Sequence, residues 1–480
     1  MSFYHFSPSP ARSFSSVLRS CQNVEGLPLT EVLSEHDIQK AFEDADCHFA
    51  ENDDNVFTPA VTLWAFLSQM LHSGPARSCE AAVLRIQQFL RFLGKKIPAF
   101  NSGGYCKARP KIHETVPQTL IRHVAENAEQ RVEDHWKWNG RKDIFLVDGA
   151  EIIGPDTADN QAEYPQSTNQ AQGCGFPMMR LVVLTSMITG MLHRIAVGPH
   201  SGKGTGESAL FRQLAEKLPK GSVVVGDRYY CSYFAIAMLI QKGIDVVSRL
   251  TTCRLAALGN RDTFIRLKNG DLLVTWKRPQ RPVWMTPEEY ETMPETLTLR
   301  LVEVCVAEKG FRVKHLWVVT TLLDTKAYSP ESLAELYRSR WNVELDLNAI
   351  KTMMGLEELR GKTPHMMRLE LLMGLLAYNL VRLMMLNAAV LMGVTPRGLS
   401  FTSALSMVAG GWTSVFGMGN EMLREFVYNH LKELMKHRAG HRAGRVEPRV
   451  VKRRPKAYPR MKQPRAKLRA KLLNEITEKT

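Results

Sequence analysis

The spacing of apolar residues changes twice along this chain. In the first third it is helical: Thr58 and Pro59 form an N-cap and first-turn pair ahead of the apolar stretch Val61 to Leu71, and Ser78 can cap a second helix running towards Leu93. Gly94, Lys95 and Lys96 stop that helix, Asn101 to Gly104 reads as a turn, and residues 30–130 form a small helical module. From Asp143 the period shortens. Ile144 to Val147, Arg180 to Thr185, Ile195 to Gly198, Ser222 to Gly226 and Val246 to Leu250 are short runs rich in β-branched residues. Helical patterns intervene at Glu207 to Leu218 and Ser232 to Lys242, so this part predicts an α/β core.

Residues 253–311 interrupt the alternation. Thr263 to Lys268 and Asp271 to Lys277 flank Asn269-Gly270, a type I′ turn pair, and Leu297 to Val306 adds more strand, which predicts a β-rich insertion. Strand character resumes at His315 to Leu323, and a long helix follows from about Pro330 to Met354. The most apolar region, Leu369 to Gly393, is broken by Glu370 and Arg382, leaving charge-free runs of 11 and 14 residues. Both fall short of the roughly 20 residues that span a bilayer, so we expect buried helices there.

Composition adds exclusions. With 480 residues, 44% apolar and 23% charged, the chain resembles soluble globular proteins and is neither wholesale disordered nor a membrane transporter. Its 8 cysteines are widely spaced, without a CxxC pair or zinc-finger spacing, and read as reduced thiols. No secretory pattern opens the sequence, so a cytoplasmic protein is expected. The net charge of +15 is concentrated: Lys436 to Lys471 holds 15 lysines and arginines against the single acid Glu447. Such a segment, including Lys452, Arg453 and Arg454, binds polyanions by counterion release, with DNA or RNA the first partner and an anionic membrane surface the alternative.

Three carboxylates sit where this pattern builds sites. Asp148 ends Phe145-Leu146-Val147, Asp227 ends Val223-Val224-Val225-Gly226, and Glu344 lies on the long helix. An acid at one strand end, taken singly, is more often explained by a turn or helix cap. On the helix, however, Tyr337, Arg340, Glu344 and Lys351 fall within about 60° of arc, a polar stripe flanked by Val343, Leu347 and Ile350. An i,i+4 ion pair between Arg340 and Glu344 on a solvated face would produce part of it.

The spacing Tyr337-x2-Arg340-x3-Glu344-x6-Lys351 resembles the Y-x2-R-x3-E-x6-K signature of bacterial insertion-sequence transposases of the "four" family. Val147-Asp148-Gly149, Gly226-Asp227-Arg228-Tyr229-Tyr230, Gly173 to Pro177 and Gly202 to Glu207 extend the likeness, which runs from about Thr58 to the tail. The resemblance implies a DDE triad of Asp148, Asp227 and Glu344 on a ribonuclease-H-like core split by the β-rich insertion. It implies phosphate contacts from Tyr337, Arg340 and Lys351, and puts Trp317 where relatives carry a tryptophan that stacks on a flipped base; a core tryptophan on a buried strand explains Trp317 equally. Arg228 and Arg249, beside strand ends, are further phosphate candidates. One departure is that Ala150 and Glu151 follow Gly149 where relatives often carry hydroxyl residues. Asp143 and Asp156 are rivals for the first acid.

Three clustered carboxylates need cations to offset their repulsion. Hard oxygen ligands favour magnesium or manganese, and two ions would suit phosphodiester chemistry. Gly202-Lys203 lacks the spacing of a phosphate-binding loop, and His437 and His441 enclose no glutamate, which removes nucleotide hydrolysis and zinc peptidase chemistry. The expected organisation is a helical module over 1–130, either a helix-turn-helix-like DNA contact or a scaffold. A catalytic core follows over 131–252 and 312–410, with the insertion at 253–311 and a helix plus basic tail over 411–480. The expected activity is 3′-end cleavage of an insertion sequence and strand transfer, by a nucleoid-associated homodimer that synapses two DNA ends and uses no membrane. The rivals are a nuclease of the same fold and a non-catalytic DNA-binding protein.

Overall fold

The computed structural model describes residues 35–50, 55–92, 97, 99–202, 204–251, 254–255, 263–305, 315–414, 420–439 and 460–477. Its strands are β1 (Ile144–Ile153), β2 (Met178–Ser186), β3 (Leu192–Pro199), β4 (Val223–Gly226), β5 (Asp245–Arg249), β6 (Thr263–Arg266), β7 (Leu272–Lys277), β8 (Thr296–Cys305) and β9 (His315–Thr320). All nine belong to one mixed sheet in the order β3-β2-β1-β4-β5-β9-β8-β7-β6. β1, β2 and β3 form an antiparallel meander, while β4 and β5 run parallel to β1. β9 closes antiparallel on β5, and β8, β7 and β6 follow antiparallel beyond it. The β-rich insertion therefore widens the main sheet instead of folding apart from it. Buried Arg300 on β8 fixes it there, donating to Asp271 Oδ2 at 2.7 Å and to the carbonyl of Tyr328 at 2.7 Å.

Strict alternation assigns the two faces. Ile144, Leu146, Leu181, Val183, Val223 and Val225 enter one core, whereas Phe145, Val147, Val182, Leu184 and Val224 enter the other. Both faces are covered by helices, which is why these strands read as nearly continuous apolar runs. Helices Glu207–Ala215 and Tyr233–Gln241 pack in the second core; helices Pro59–Met70, Cys79–Phe92, Thr115–Glu129 and Pro364–Met392 build the first. The N-terminal helices thus share their core with the sheet and the Pro364–Met392 helix. Their caps are as read from the sequence: Thr58 Oγ1 accepts from Val61 N at 3.4 Å and Ser78 Oγ from Ala81 N at 3.1 Å.

Two helical expectations change. The apolar region is one helix of 29 residues, Pro364–Met392, capped by Thr363 and ended by left-handed Gly393. It is long and apolar enough to cross a membrane by composition, and 83% of its most apolar window is buried within the fold. Its charges do not break it because each is paired: Glu370 with Arg77 at 2.9 Å and Arg382 with Asp346 at 2.5 Å. The second change concerns the helix expected over 330–354. It divides into Pro330–Ser339 and Trp341–Asn348, with a π-helical turn over Ala349–Met353. At the break Arg340 N donates to Tyr337 O and Val343 N to Arg340 O, tightening the turn, whereas Met354 N reaches back five residues to Ala349 O.

Candidate active site

Asp148 lies within β1, which runs parallel to β4, and the register Leu146↔Val225 carries on towards Asp148 beside Asp227. By alternation both acids share the parity of Leu146 and Val225, the face on which helix Trp341–Asn348 packs through Val343 and Leu347. Neighbouring strands are about 4.8 Å apart, so this register brings two carboxylates to one strand end. Each accepts from backbone just beyond it: Asp148 Oδ1 from Gly149 N at 2.8 Å, and Asp227 Oδ1 from Tyr229 N at 2.7 Å. Ser248 on β5 donates to the Asp227 carbonyl at 2.7 Å, fixing the backbone there. Gly226 has no room for a side chain, since a Cβ would lie 3.0 Å from both Val147 Cγ1 and Tyr230 Cβ.

Glu344 projects from the other wall of an open cleft of about 480 Å³ lined by Asp148, Gly149, Glu151, Glu207, Lys351 and Glu357, among others. Arg340 Nη2 donates to Glu344 Oε1 at 2.8 Å, and the guanidinium lies 4.4 Å from the Trp341 ring centroid. Lys351 lines the same cleft with Nζ 3.5 Å from Glu357 Oε1. Burial pushes the Asp148 carboxyl up to about 6, opposed by the Gly149 N–H and by Arg340 and reinforced by the charges of Asp227 and Glu344. Asp148 is thus near enough to both other acids to feel their charges.

Among the described residues, no three His, Cys, Asp or Glu side chains are close enough as arranged to surround a metal ion. Glu344 is turned to Arg340. The donor chemistry nevertheless suits a hard divalent cation: carboxylate oxygens meet in a cleft where Asp148 resists ionisation, and the buried Tyr230 hydroxyl beside them completes no regular hydrogen bond.

The remaining candidates separate. Tyr337 and Arg340 are both only 6% exposed, and burial raises the Tyr337 hydroxyl. Arg249, at the end of β5, lies close enough to act on Tyr337 electrostatically, and Arg228 is exposed, its carbonyl accepting from Arg254 Nη1 at 3.2 Å. Trp317 is half-buried against the second core. Of the rivals for the first acid, Asp143 precedes β1 at the opposite strand end, and Asp156 accepts from Gln161 Nε2 at 2.8 Å. Lys452, Arg453 and Arg454 lie outside the described residues. Three further carboxylates line the cleft, Glu151, Glu207 and Glu357, none of them a site candidate from the sequence; Glu207 reaches Gly149 only through contacts across separate elements.

A family model described as "Transposase DDE domain" matches residues 139–380, just over half of the chain. The chain is 28% identical over 277 residues to the transposase InsG for insertion sequence element IS4 of Escherichia coli (strain K12), covering 57% of this chain and 59% of that protein's length. This agrees with the "four" family signature. A whole-chain likeness to the piggyBac transposase in a synaptic complex with hairpin DNA has a TM-score of 0.40 and 10% identity, over 88% of this chain and 85% of that one, a level at which neither fold nor function transfers. With the matched segment running from before β1 to within the Pro364–Met392 helix, and so enclosing Asp148, Asp227 and Glu344, the chain belongs to the family of transposases with a DDE domain.

Proposed function

We propose that this chain is a DNA transposase whose Asp148, Asp227 and Glu344 form the catalytic triad. The observation that carries the reading is their placement: two acids are brought to one end of neighbouring parallel strands, and one of them, Asp148, lines an open cleft with the helix acid Glu344 and with Lys351. The order β3-β2-β1-β4-β5, an antiparallel meander followed by two parallel strands, supports a ribonuclease-H-like core split by the β6–β8 insertion. Water would attack phosphorus at the element's end, the bond to the 3′ oxygen would break, and the freed 3′-hydroxyl would displace a 3′ oxygen in target DNA.

Asp148, Asp227 and Glu344 would hold divalent cations, with magnesium or manganese and two ions our reading. When bound, these supply Lewis-acid polarisation of the phosphate and offset charge on the attacking and leaving oxygens. Arg340 presents a guanidinium fork at Glu344 and Lys351 a point charge in the cleft, so both would position phosphates. Tyr337 and Arg249 would support that contact, Arg228 would meet the adjoining backbone, and Lys452, Arg453 and Arg454 would add non-specific affinity. A homodimer pairing two element ends is the assembly we propose. The test is a labelled duplex bearing the native end, mixed with target DNA and magnesium or manganese. Joined products support a transposase; cutting without joining would favour a nuclease, and binding without cutting a non-catalytic DNA-binding protein.

A further inference from the structure

We propose that Glu207 is a fourth carboxylate of the divalent-cation site, reaching it from the sheet face opposite to Glu344. The inference rests on the triad reading above. Glu207 opens helix Glu207–Ala215, whose Leu210, Phe211 and Leu214 are buried in the second core, whereas Val343 and Leu347 of the Glu344 helix are buried in the first. The two helices therefore approach β1 from opposite sides. Glu207 nevertheless lines the same cleft as Asp148 and Glu344.

Gly149 makes this approach feasible. A Cβ built there would lie 2.6 Å from Glu207 Cδ and 2.8 Å from Oε1, so the Glu207 carboxylate occupies the space of the side chain that the residue after Asp148 lacks. An acid in the first turn of a helix is ordinarily explained by the helix dipole. The dipole does not account for a carboxylate folded onto the strand bearing the first aspartate. Arg180 is the cation whose charge acts on the Glu207 carboxylate. Arg180 is itself engaged, Nη1 donating to Thr205 O at 3.1 Å.

Tyr230 points independently to a ligand. Its side chain is only 3% exposed and its hydroxyl completes no regular hydrogen bond, although the Glu207 carboxylate lies against it and Asp148 and Asp227 are near enough to act on it. Buried hydroxyls are nearly always satisfied. A buried hydroxyl without a regular hydrogen bond beside Glu207 and near Asp148 and Asp227 fits a site that closes around a hydrated cation, and a fourth hard oxygen donor strengthens such a site through ligand charge.

The test is calorimetric titration of Mn²⁺ into the full chain without DNA. Glu207→Gln should weaken binding about tenfold or more, comparably to Asp227→Asn. Glu151→Gln lines the same cleft, but Glu151 Oε1 is 2.8 Å from His200 Nδ1, and it should change affinity by less than about twofold. Gly149→Ala keeps every carboxylate and displaces Glu207, so it should also weaken binding, with circular dichroism verifying the fold of each variant. If Glu207→Gln and Gly149→Ala bind like the wild type while Asp148→Asn and Asp227→Asn do not, Glu207 is no ligand and the triad reading stands. If Asp148→Asn and Asp227→Asn also keep wild-type affinity, or the wild type shows no saturable binding, the cation-site reading falls with it.

Discussion

Asp346 is the most exacting test of how the Glu344 helix is held. Two residues beyond Glu344 and so on the opposite side of the helix, its side chain has no exposed surface. It accepts from Arg382 Nη2 at 2.5 Å and from Arg397 Nη1 and Nη2 at 3.1 and 3.0 Å. Arg397 in turn donates to the carbonyls of Ser186 and Met187 at the end of β2, so Asp346 joins the helix, the Pro364–Met392 helix and the sheet. Asp346→Asn removes the acid shared by two guanidinium groups. Breaking a buried pair by removing one partner costs about 3–5 kcal/mol, and an amide oxygen can retain one hydrogen bond of about 1 kcal/mol. The net loss should be about 2–4 kcal/mol, a large share of the roughly 5–15 kcal/mol of a folded domain. Urea unfolding, followed by tryptophan fluorescence and circular dichroism, measures it. An Asp346→Asn, Arg382→Gln double variant should lose at least about 1 kcal/mol less than the sum of the singles. A single variant within about 0.5 kcal/mol of the wild type, or strict additivity, would refute the clamp.

Three further outcomes are expected. Because the Asp148 carboxyl is raised to about 6, the folded state binds that proton more tightly than the unfolded chain, and stability falls as pH rises from about 4 to about 6. Without metal, Asp148→Asn should therefore be more stable than the wild type at pH 7.5, by up to about 3 kcal/mol, and equal to it near pH 4; equal stability at both would contradict the cause given. Gly361→Ala should destabilise by about 1–3 kcal/mol in urea titration, because its Cβ would meet backbone atoms of Met366 and Met367 at 2.5 and 2.6 Å, which cannot move aside. Neutralising Lys452, Arg453 and Arg454 should lower the slope of log affinity for duplex DNA against log salt by up to about 3; an unchanged slope would separate the tail from DNA binding.

The strands were legible because both faces of the sheet are covered, and alternation such as Ile144, Leu146 against Phe145, Val147 registers directly as β-branched and apolar runs. Local chemistry was equally readable: Thr58 and Ser78 cap as their sequence context requires, and Gly270 adopts φ 90° in its hairpin turn. Long-range pairing was not. Glu370 and Arg382 looked like interruptions, yet their partners Arg77 and Asp346 lie 293 and 36 positions away. The break at Arg340 and the π-helical turn at Ala349–Met353 are likewise not written in helix propensity, because buried residues such as Asp346 fix how the helix sits. In the site, the spacing of Tyr337, Arg340, Glu344 and Lys351 signalled the helix acid, but not that Tyr337 and Arg340 are buried. Glu207 belongs to the likeness over Gly202 to Glu207, but nothing there marks it as a site acid, since only folding lays it over Gly149.

The central claim, that Asp148, Asp227 and Glu344 do the chemistry, is tested most directly on a labelled duplex carrying the native element's end. Cleavage with magnesium or manganese and DNA affinity are measured together for the wild type and for Asp148→Asn, Asp227→Asn and Glu344→Gln. Each substitution should abolish cutting while leaving binding within a few-fold of the wild type. Cutting that survives any one of them, or a wild type that binds and never cuts, would contradict the account.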